Sequence, residues 1–204
     1  MRTLYRLGIA YIAVCGGLLL VPRPAEVVPV LDPQVAVEPV PATDPHPAQP
    51  ITPGNAREWF EQAKPFCNTL EVVTRIHYAP PPSGTEGAGY GAACYALAGM
   101  IDSARALIDR LDDNGRSRAA GIVFEVGHPV ADAGDDRSAG PMMSLVVDYQ
   151  PANYMALYHA GMAEFAVGDK RLAKKHLLRF LELYSSEDGW RSSAQGALRQ
   201  IQDP

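Results

Sequence analysis

The sequence predicts an all-α protein built from repeated helical hairpins. Three turn glycines recur at intervals of 34 to 35 residues, and each stands five residues before an alanine. The glycines are Gly99, Gly134 and Gly168, and the alanines are Ala104, Ala139 and Ala173. Apolar residues follow each alanine at intervals of three and four, which places them on one face of a helix. Because one hairpin cannot bury that face alone, stacked copies are required.

A further small residue stands seven positions before each turn glycine; the three are Ala92, Gly127 and Gly161. Small side chains there allow the first helix of a hairpin to approach the second closely. This unit of helix, turn and helix resembles the tetratricopeptide repeat. The resemblance implies three units, at about residues 85–118, 120–153 and 154–187, followed by a solvating cap at residues 188–204. It also implies a concave surface, lined by the first helix of each unit, that binds protein segments.

The three units fit the family pattern unequally. The third fits best, although it carries Glu164 where the family usually has an aromatic residue. In the second, Pro129 removes a backbone donor within the first helix, so we expect that helix to kink or stop near Gly127. The first unit begins in a glycine-rich stretch that we expect to delay a firm helix.

Two short runs offer a rival interpretation. Residues 121–126 and 145–149 are rich in β-branched and aromatic side chains and, taken alone, favour strands in an α/β protein. The fixed register of the flanking glycines and alanines instead places both runs inside helices. We therefore predict helix for both.

The amino-terminal segment predicts export. Arg2 and Arg6 precede an apolar run of fifteen residues at positions 7–21, and no clear cleavage site follows it. Residues 1–21 are interpreted as a signal peptide or signal anchor. The predicted location is periplasmic or otherwise extracytoplasmic, with the chain anchored in the cytoplasmic membrane.

Residues 22–53 form a proline-rich linker, since ten of these 32 residues are proline. Such a composition favours extended polyproline II and cannot pack a core. A binding site for a proline-recognising domain is the functional alternative. The remaining residues, 54–204, suffice for one helical domain. Its first part is expected to contain one or two helices, broken at Pro65 and stopped by the prolines at 80–82.

Charge and cysteine content limit the classes of partner. The formal net charge of −5 argues against nucleic acid as the main partner. In an exported domain Cys67 and Cys94 form an even pair, which allows either a disulfide or two buried thiols. The sequence leaves that choice open.

The candidates for chemistry are few. His128 and Asp132 stand four residues apart, and His159 follows in the next unit, so a metal-dependent hydrolase can be drawn from these three residues. Three observations argue against it: Pro129 disturbs the helix that would align the first two, the nearby Asp135 lies on the ordinary turn between helices, and no second ligand motif appears. We therefore predict no metal. We also predict no cofactor and no small-molecule substrate. The resemblance instead places six residues on the concave surface: Phe124, His128, Asp132, Tyr158, Met162 and Phe165. Packing in the core is the alternative for the apolar members of this set.

These observations favour a non-enzymatic adaptor, tethered at the cell envelope, that binds a protein partner through the concave face of its repeats. A permanent structural subunit of a larger membrane-associated complex is the alternative. The metal-dependent hydrolase is a third, more remote hypothesis. The identity of the partner cannot be predicted from the sequence.

Overall fold

The computed structural model describes residues 55–202, and within that range the protein is all-α. The predicted anchor at residues 1–21 and the linker at residues 22–53 lie outside the described residues. In chain order the helices are α1 (Ala56–Ala63), α2 (Val72–Tyr78), α3 (Thr85–Leu97), α4 (Ile101–Ile108), α5 (Asp113–Asp132), α6 (Asp136–Tyr149), α7 (Tyr154–Val167), α8 (Lys170–Leu183) and α9 (Gly189–Gln202). A 3-10 turn at Lys64–Phe66 follows α1. None of these helices is both long enough and apolar enough to cross a membrane.

Three pairs of helices, α3 with α4, α5 with α6 and α7 with α8, pack against each other across short turns. The turn glycines Gly99, Gly134 and Gly168 all adopt positive φ, at 75°, 86° and 85°. Only glycine takes this conformation without strain, which explains why it recurs at each turn. The alanines five residues later are all fully buried. The helix prediction for residues 121–126 and 145–149 is confirmed, since they lie inside α5 and α6.

Small residues allow close approach within the hairpins. A side chain at Gly161 would meet Leu177 of α8, and one at Gly127 would meet Met142 and Met143 of α6. Ala92, the corresponding residue of α3, is fully buried. The residues that the sequence singled out as small therefore lie where the paired helices touch.

The structure contradicts a stop of α5 near Gly127 and a delayed helix in the glycine-rich stretch. Helix α5 does not stop near Gly127 but continues through Pro129 to Asp132, and it begins as early as Asp113. The missing proline donor is therefore accommodated within a 20-residue helix. The glycine-rich stretch is helical from Thr85, because close packing offsets the poor helix propensity of glycine: Gly89 lies against Ala119 and Ile122 of α5.

The amino-terminal helices are fastened to the first hairpin. Cys67, which follows the 3-10 turn, is disulfide-bonded to Cys94 of α3. Of the two alternatives that the sequence left open, the structure therefore has the bridged one. The indole of Trp59 in α1 donates a hydrogen bond of 2.9 Å to the carbonyl of Ala79, just past α2. Thr69 donates to the carbonyl of Ala98 at the end of α3.

Candidate functional site

Helices α5 and α7 bring together three residues with metal-binding side chains. His128 and Asp132 lie one turn apart on α5, and His159 comes from α7. Asp132 Oδ1 is 3.5 Å from His128 Nε2 and 3.4 Å from His159 Nε2. One ligand atom from each of the three residues lies within 4.8 Å of the others. We call these three residues the His/Asp cluster.

His159 is the most buried member of the cluster, with 2% of its side chain exposed. Its Nδ1 lies 3.4 Å from Asp136 Oδ1 at the start of α6, whereas its Nε2 is buried without a hydrogen-bond partner. The ring packs edge-on against Tyr158 and against Trp190 of α9. Aromatic packing and Asp136 together orient the imidazole so that Nε2 points toward Asp132.

His128 is less buried, and 27% of its side chain is exposed. Its ring stacks on Phe124, with ring centroids 4.7 Å apart, and its Nε2 is also without a hydrogen-bond partner. Partial burial lowers the pKa of His128, Asp132 opposes that shift, and His159 adds to it. The lowered pKa favours the neutral imidazole, which is the form that binds metal ions.

The six residues predicted for the concave surface divide into two groups. Phe124, His128 and Asp132 are partly or largely exposed on α5. Tyr158 is only 7% exposed and packs against Phe180 of α8 and Trp190 of α9. Tyr158 therefore belongs to the core, and we withdraw it from the predicted binding surface.

Met162 and Phe165 complete the second group. Both are partly buried and pack against the hydrophobic core. Both residues follow Tyr158 on α7. Helix α9 packs against α7 and α8 at the carboxyl end of the described chain. These two side chains retain only part of their surface for a partner.

A separate groove, with a volume of about 530 Å³, opens between α1, α3 and α5. Arg57 of α1 spans it, with its guanidinium 3.6 Å from Glu125 of α5 and 5.5 Å from the ring centroid of Tyr90. Phe60 and Tyr90 stack with ring centroids 5.2 Å apart. The lining residues are Arg57, Phe60, Glu61, Lys64, Tyr90, Leu97, Glu125, Val126, Pro129, Val130, Ala133 and Asp135. We call this feature the α1/α3/α5 groove.

Sequence reasoning missed the α1/α3/α5 groove. Three of its lining residues, Arg57, Phe60 and Glu61, come from α1, which precedes the repeats and shares no periodic feature with them. From α5 the resemblance selected Phe124, His128 and Asp132, none of which lines the groove. The amphipathic pattern of residues 56–63 was the available signal, since Trp59, Phe60 and Ala63 are buried while Arg57 and Glu61 are exposed.

Comparison with known proteins adds no family to these observations, since no protein-family model, no curated protein and no solved structure gives a significant match to the chain.

Proposed function

We propose that this protein is an adaptor of the tetratricopeptide-repeat type that binds an extended segment of a protein partner in the α1/α3/α5 groove. The repeat assignment is supported by the three equivalent glycine turns and by the buried alanine that follows each. It is further supported by the side-chain caps at Asp135 and Asp169, each of which accepts a hydrogen bond at the start of the second helix of a hairpin.

The observation that carries the binding proposal is the groove itself. Three apolar residues of α5, Val126, Pro129 and Val130, line it, and so do the stacked rings of Phe60 and Tyr90. An apolar side chain of a bound segment would pack against these groups, as in other peptide-binding grooves. The α1/α3/α5 groove therefore has a place for one anchoring side chain of a bound segment.

The charges at the rim define the chemistry of the partner. Three acidic side chains and two basic ones line the groove. Arg57 is paired with Glu125, and the exposed Glu61 lies on the same face of α1 as Arg57. A partner segment with a basic residue beside its apolar anchor complements this arrangement.

A site-specific photo-crosslinking experiment tests the proposal. A photoreactive amino acid at Val130 in the groove is compared with one at Leu178, which is 42% exposed on α8 and lies outside the groove. We expect a discrete protein adduct from position 130 and none from position 178. Glu61→Lys should abolish the adduct, whereas Glu182→Lys on α8 should leave it unchanged. Equal adducts at both positions, or an adduct that survives Glu61→Lys, would contradict the proposal.

We further propose that the adaptor works outside the cytoplasmic membrane, held there by residues 1–21. The disulfide between Cys67 and Cys94 supports this location, because disulfides persist in oxidising compartments. A pair of reporters fused to the carboxyl terminus tests the location. We expect activity from the reporter that works outside the membrane, and activity only from the cytoplasmic reporter would refute the proposal.

A permanent subunit of a larger complex is the second candidate. It is favoured by the large apolar side chains exposed around α2, namely Leu70, Val73 and Tyr78. Adjacent exposed apolar groups are typical of interaction surfaces. If Leu70→Asp releases the chain from a stable complex while Glu61→Lys does not, the subunit hypothesis replaces the adaptor.

A further inference from the structure

We propose that His128, Asp132 and His159 bind one divalent transition-metal ion, Zn²⁺ being the expected ion, in a site that links α5 to α7. This site is separate from the α1/α3/α5 groove, since none of the three residues lines that groove.

The separations within the His/Asp cluster match those of a metal site. Ligands bound at about 2.0 to 2.1 Å around a tetrahedral ion lie about 3.3 to 3.4 Å from one another. Asp132 Oδ1 is 3.4 Å from His159 Nε2 and 3.5 Å from His128 Nε2. All the ligand atoms lie within 4.8 Å of one another, so a small rotation of the exposed Asp132 and the partly exposed His128 side chains would complete the geometry.

The two imidazole nitrogens that face Asp132 have no hydrogen-bond partner among the described residues. Both of them, His128 Nε2 and His159 Nε2, are buried. Leaving a buried nitrogen unsatisfied is costly, so two of them side by side require an explanation. A metal ion satisfies both nitrogens and the carboxylate at once.

Asp136 supplies the outer support that metal-binding histidines usually have. Its Oδ1 lies 3.4 Å from His159 Nδ1, on the side of the ring opposite the cluster. When Nδ1–H donates to this carboxylate, Nε2 carries the lone pair and is available to a metal ion. The tautomer that Asp136 selects is therefore the one that the proposed site requires.

The ligand set decides the class of ion. Two imidazoles and one carboxylate suit Zn²⁺ and neighbouring transition ions, whereas Mg²⁺ and Ca²⁺ prefer oxygen ligands. Three protein ligands leave a coordination position for another group. Asp132 is 45% exposed, so solvent reaches the carboxylate side of the cluster.

Pro129 does not prevent His128 and Asp132 from meeting. Helix α5 continues through Pro129 to Asp132, and the two side chains lie one helical turn apart on the same face. The objection that Pro129 raised from the sequence is therefore removed.

Metal titration of the full, untagged chain tests the site. After treatment with a chelator, isothermal titration with ZnCl₂ should show one ion per chain, and Zn²⁺ should raise the melting temperature. Co²⁺ should give the visible absorption bands of a tetrahedral site. We expect Asp132→Asn to weaken Zn²⁺ binding at least tenfold and Asp136→Asn to weaken it about 10- to 100-fold.

Two controls keep the result interpretable. His77→Ala removes an exposed histidine of α2 outside the cluster and should leave Zn²⁺ affinity unchanged. His128→Gln replaces one of the proposed ligands. Because this position is partly exposed, the change carries less risk of unfolding the chain than a change at the buried His159. Circular dichroism must show that each variant is folded. Three results would overturn the proposal: no binding in the wild-type chain, binding in Asp132→Asn and His128→Gln as strong as in wild type, or loss of binding in His77→Ala.

Discussion

Glu164 and His176 form a buried pair between α7 and α8, with Glu164 Oε2 2.8 Å from His176 Nδ1. Ser144 of α6 donates a hydrogen bond of 3.4 Å to the other carboxylate oxygen of Glu164. Glu164 stands where the resemblance favours an aromatic residue. Its carboxylate oxygens find hydrogen-bond partners on two neighbouring helices. The pair replaces the apolar contact that an aromatic ring would make.

Replacing one member of this pair should destabilise the fold. Glu164→Ala leaves His176 without its partner in a buried site, and we expect a loss of about 1 to 3 kcal/mol in the free energy of unfolding. The double variant Glu164→Leu/His176→Leu should be closer to wild type than Glu164→Leu or His176→Leu alone, because apolar groups replace both partners. Urea denaturation measures all of these variants. Additive losses in the double variant would show that the pair is not coupled.

Close helix packing at Gly161 predicts that an alanine there lowers the stability of the fold. A Cβ atom at Gly161 would lie 2.7 Å from Leu177 Cγ and 3.2 Å from the Leu177 backbone nitrogen, so Gly161→Ala should cost about 1 to 3 kcal/mol. A Cβ at Gly127 meets only the mobile ends of Met142 and Met143, at 3.0 and 2.8 Å.

Gly127→Ala is therefore the matched control for Gly161→Ala. Alanine gains about 1 kcal/mol of helix propensity over glycine, which should offset the adjustment of the two methionines. Thermal melts of both variants check the comparison. If Gly127→Ala lowers the melting temperature as much as Gly161→Ala does, Met142 and Met143 do not move aside for the added methyl group as expected.

Loss of the disulfide between Cys67 and Cys94 should destabilise the amino-terminal part of the domain. The bond closes a loop of 27 residues, for which the chain-entropy treatment gives about 3.5 kcal/mol. The double variant Cys67→Ala/Cys94→Ala should lower the free energy of unfolding by about this amount. In the presence of a reductant, the wild-type chain should approach the stability of the variant. An unchanged stability in both tests would show that packing alone holds α1 and α2 against α3.

Tyr149 should contribute to stability in a pH-dependent way. Burial raises its pKa to about 12, assisted by the hydrogen bond of 2.7 Å that its hydroxyl donates to Asp109. Because the folded pKa is higher than the unfolded value of 10.0, this contribution is fully present below about pH 10 and is lost as pH rises through about 12. The stability difference between wild type and Tyr149→Phe should shrink over that interval. A difference that is constant up to pH 12 would contradict the assignment.

The three helical hairpins were predictable because their sequence signals are local. A turn glycine at positive φ, a buried alanine five residues later and a small residue in the preceding helix specify each hairpin without reference to the rest of the chain. These three features were predicted correctly from their spacing in the sequence.

The features that sequence reasoning missed depend on distant contacts. Tyr158 is buried because Trp190 of α9 packs on it, and no pattern within α7 predicts that. Pro129 is tolerated within a long, packed helix, which propensity alone does not reveal. The pairing of His128 and Asp132 with His159 requires both the intact α5 and the placement of α7 beside it.

The order of packing along the chain gives the domain an uneven resistance to opening. Helix α9 packs mainly on α7 and α8, whereas α3 is held by α1, α4, α5 and the disulfide. Elements with fewer packing contacts open at a lower free energy, and amide hydrogen exchange reports such differences. We therefore expect partial opening to begin at α9 and to expose Tyr158 and the ring of His159 before residues 56–108 open. On this expectation the carboxyl-terminal helix governs access to the interior of the last hairpin.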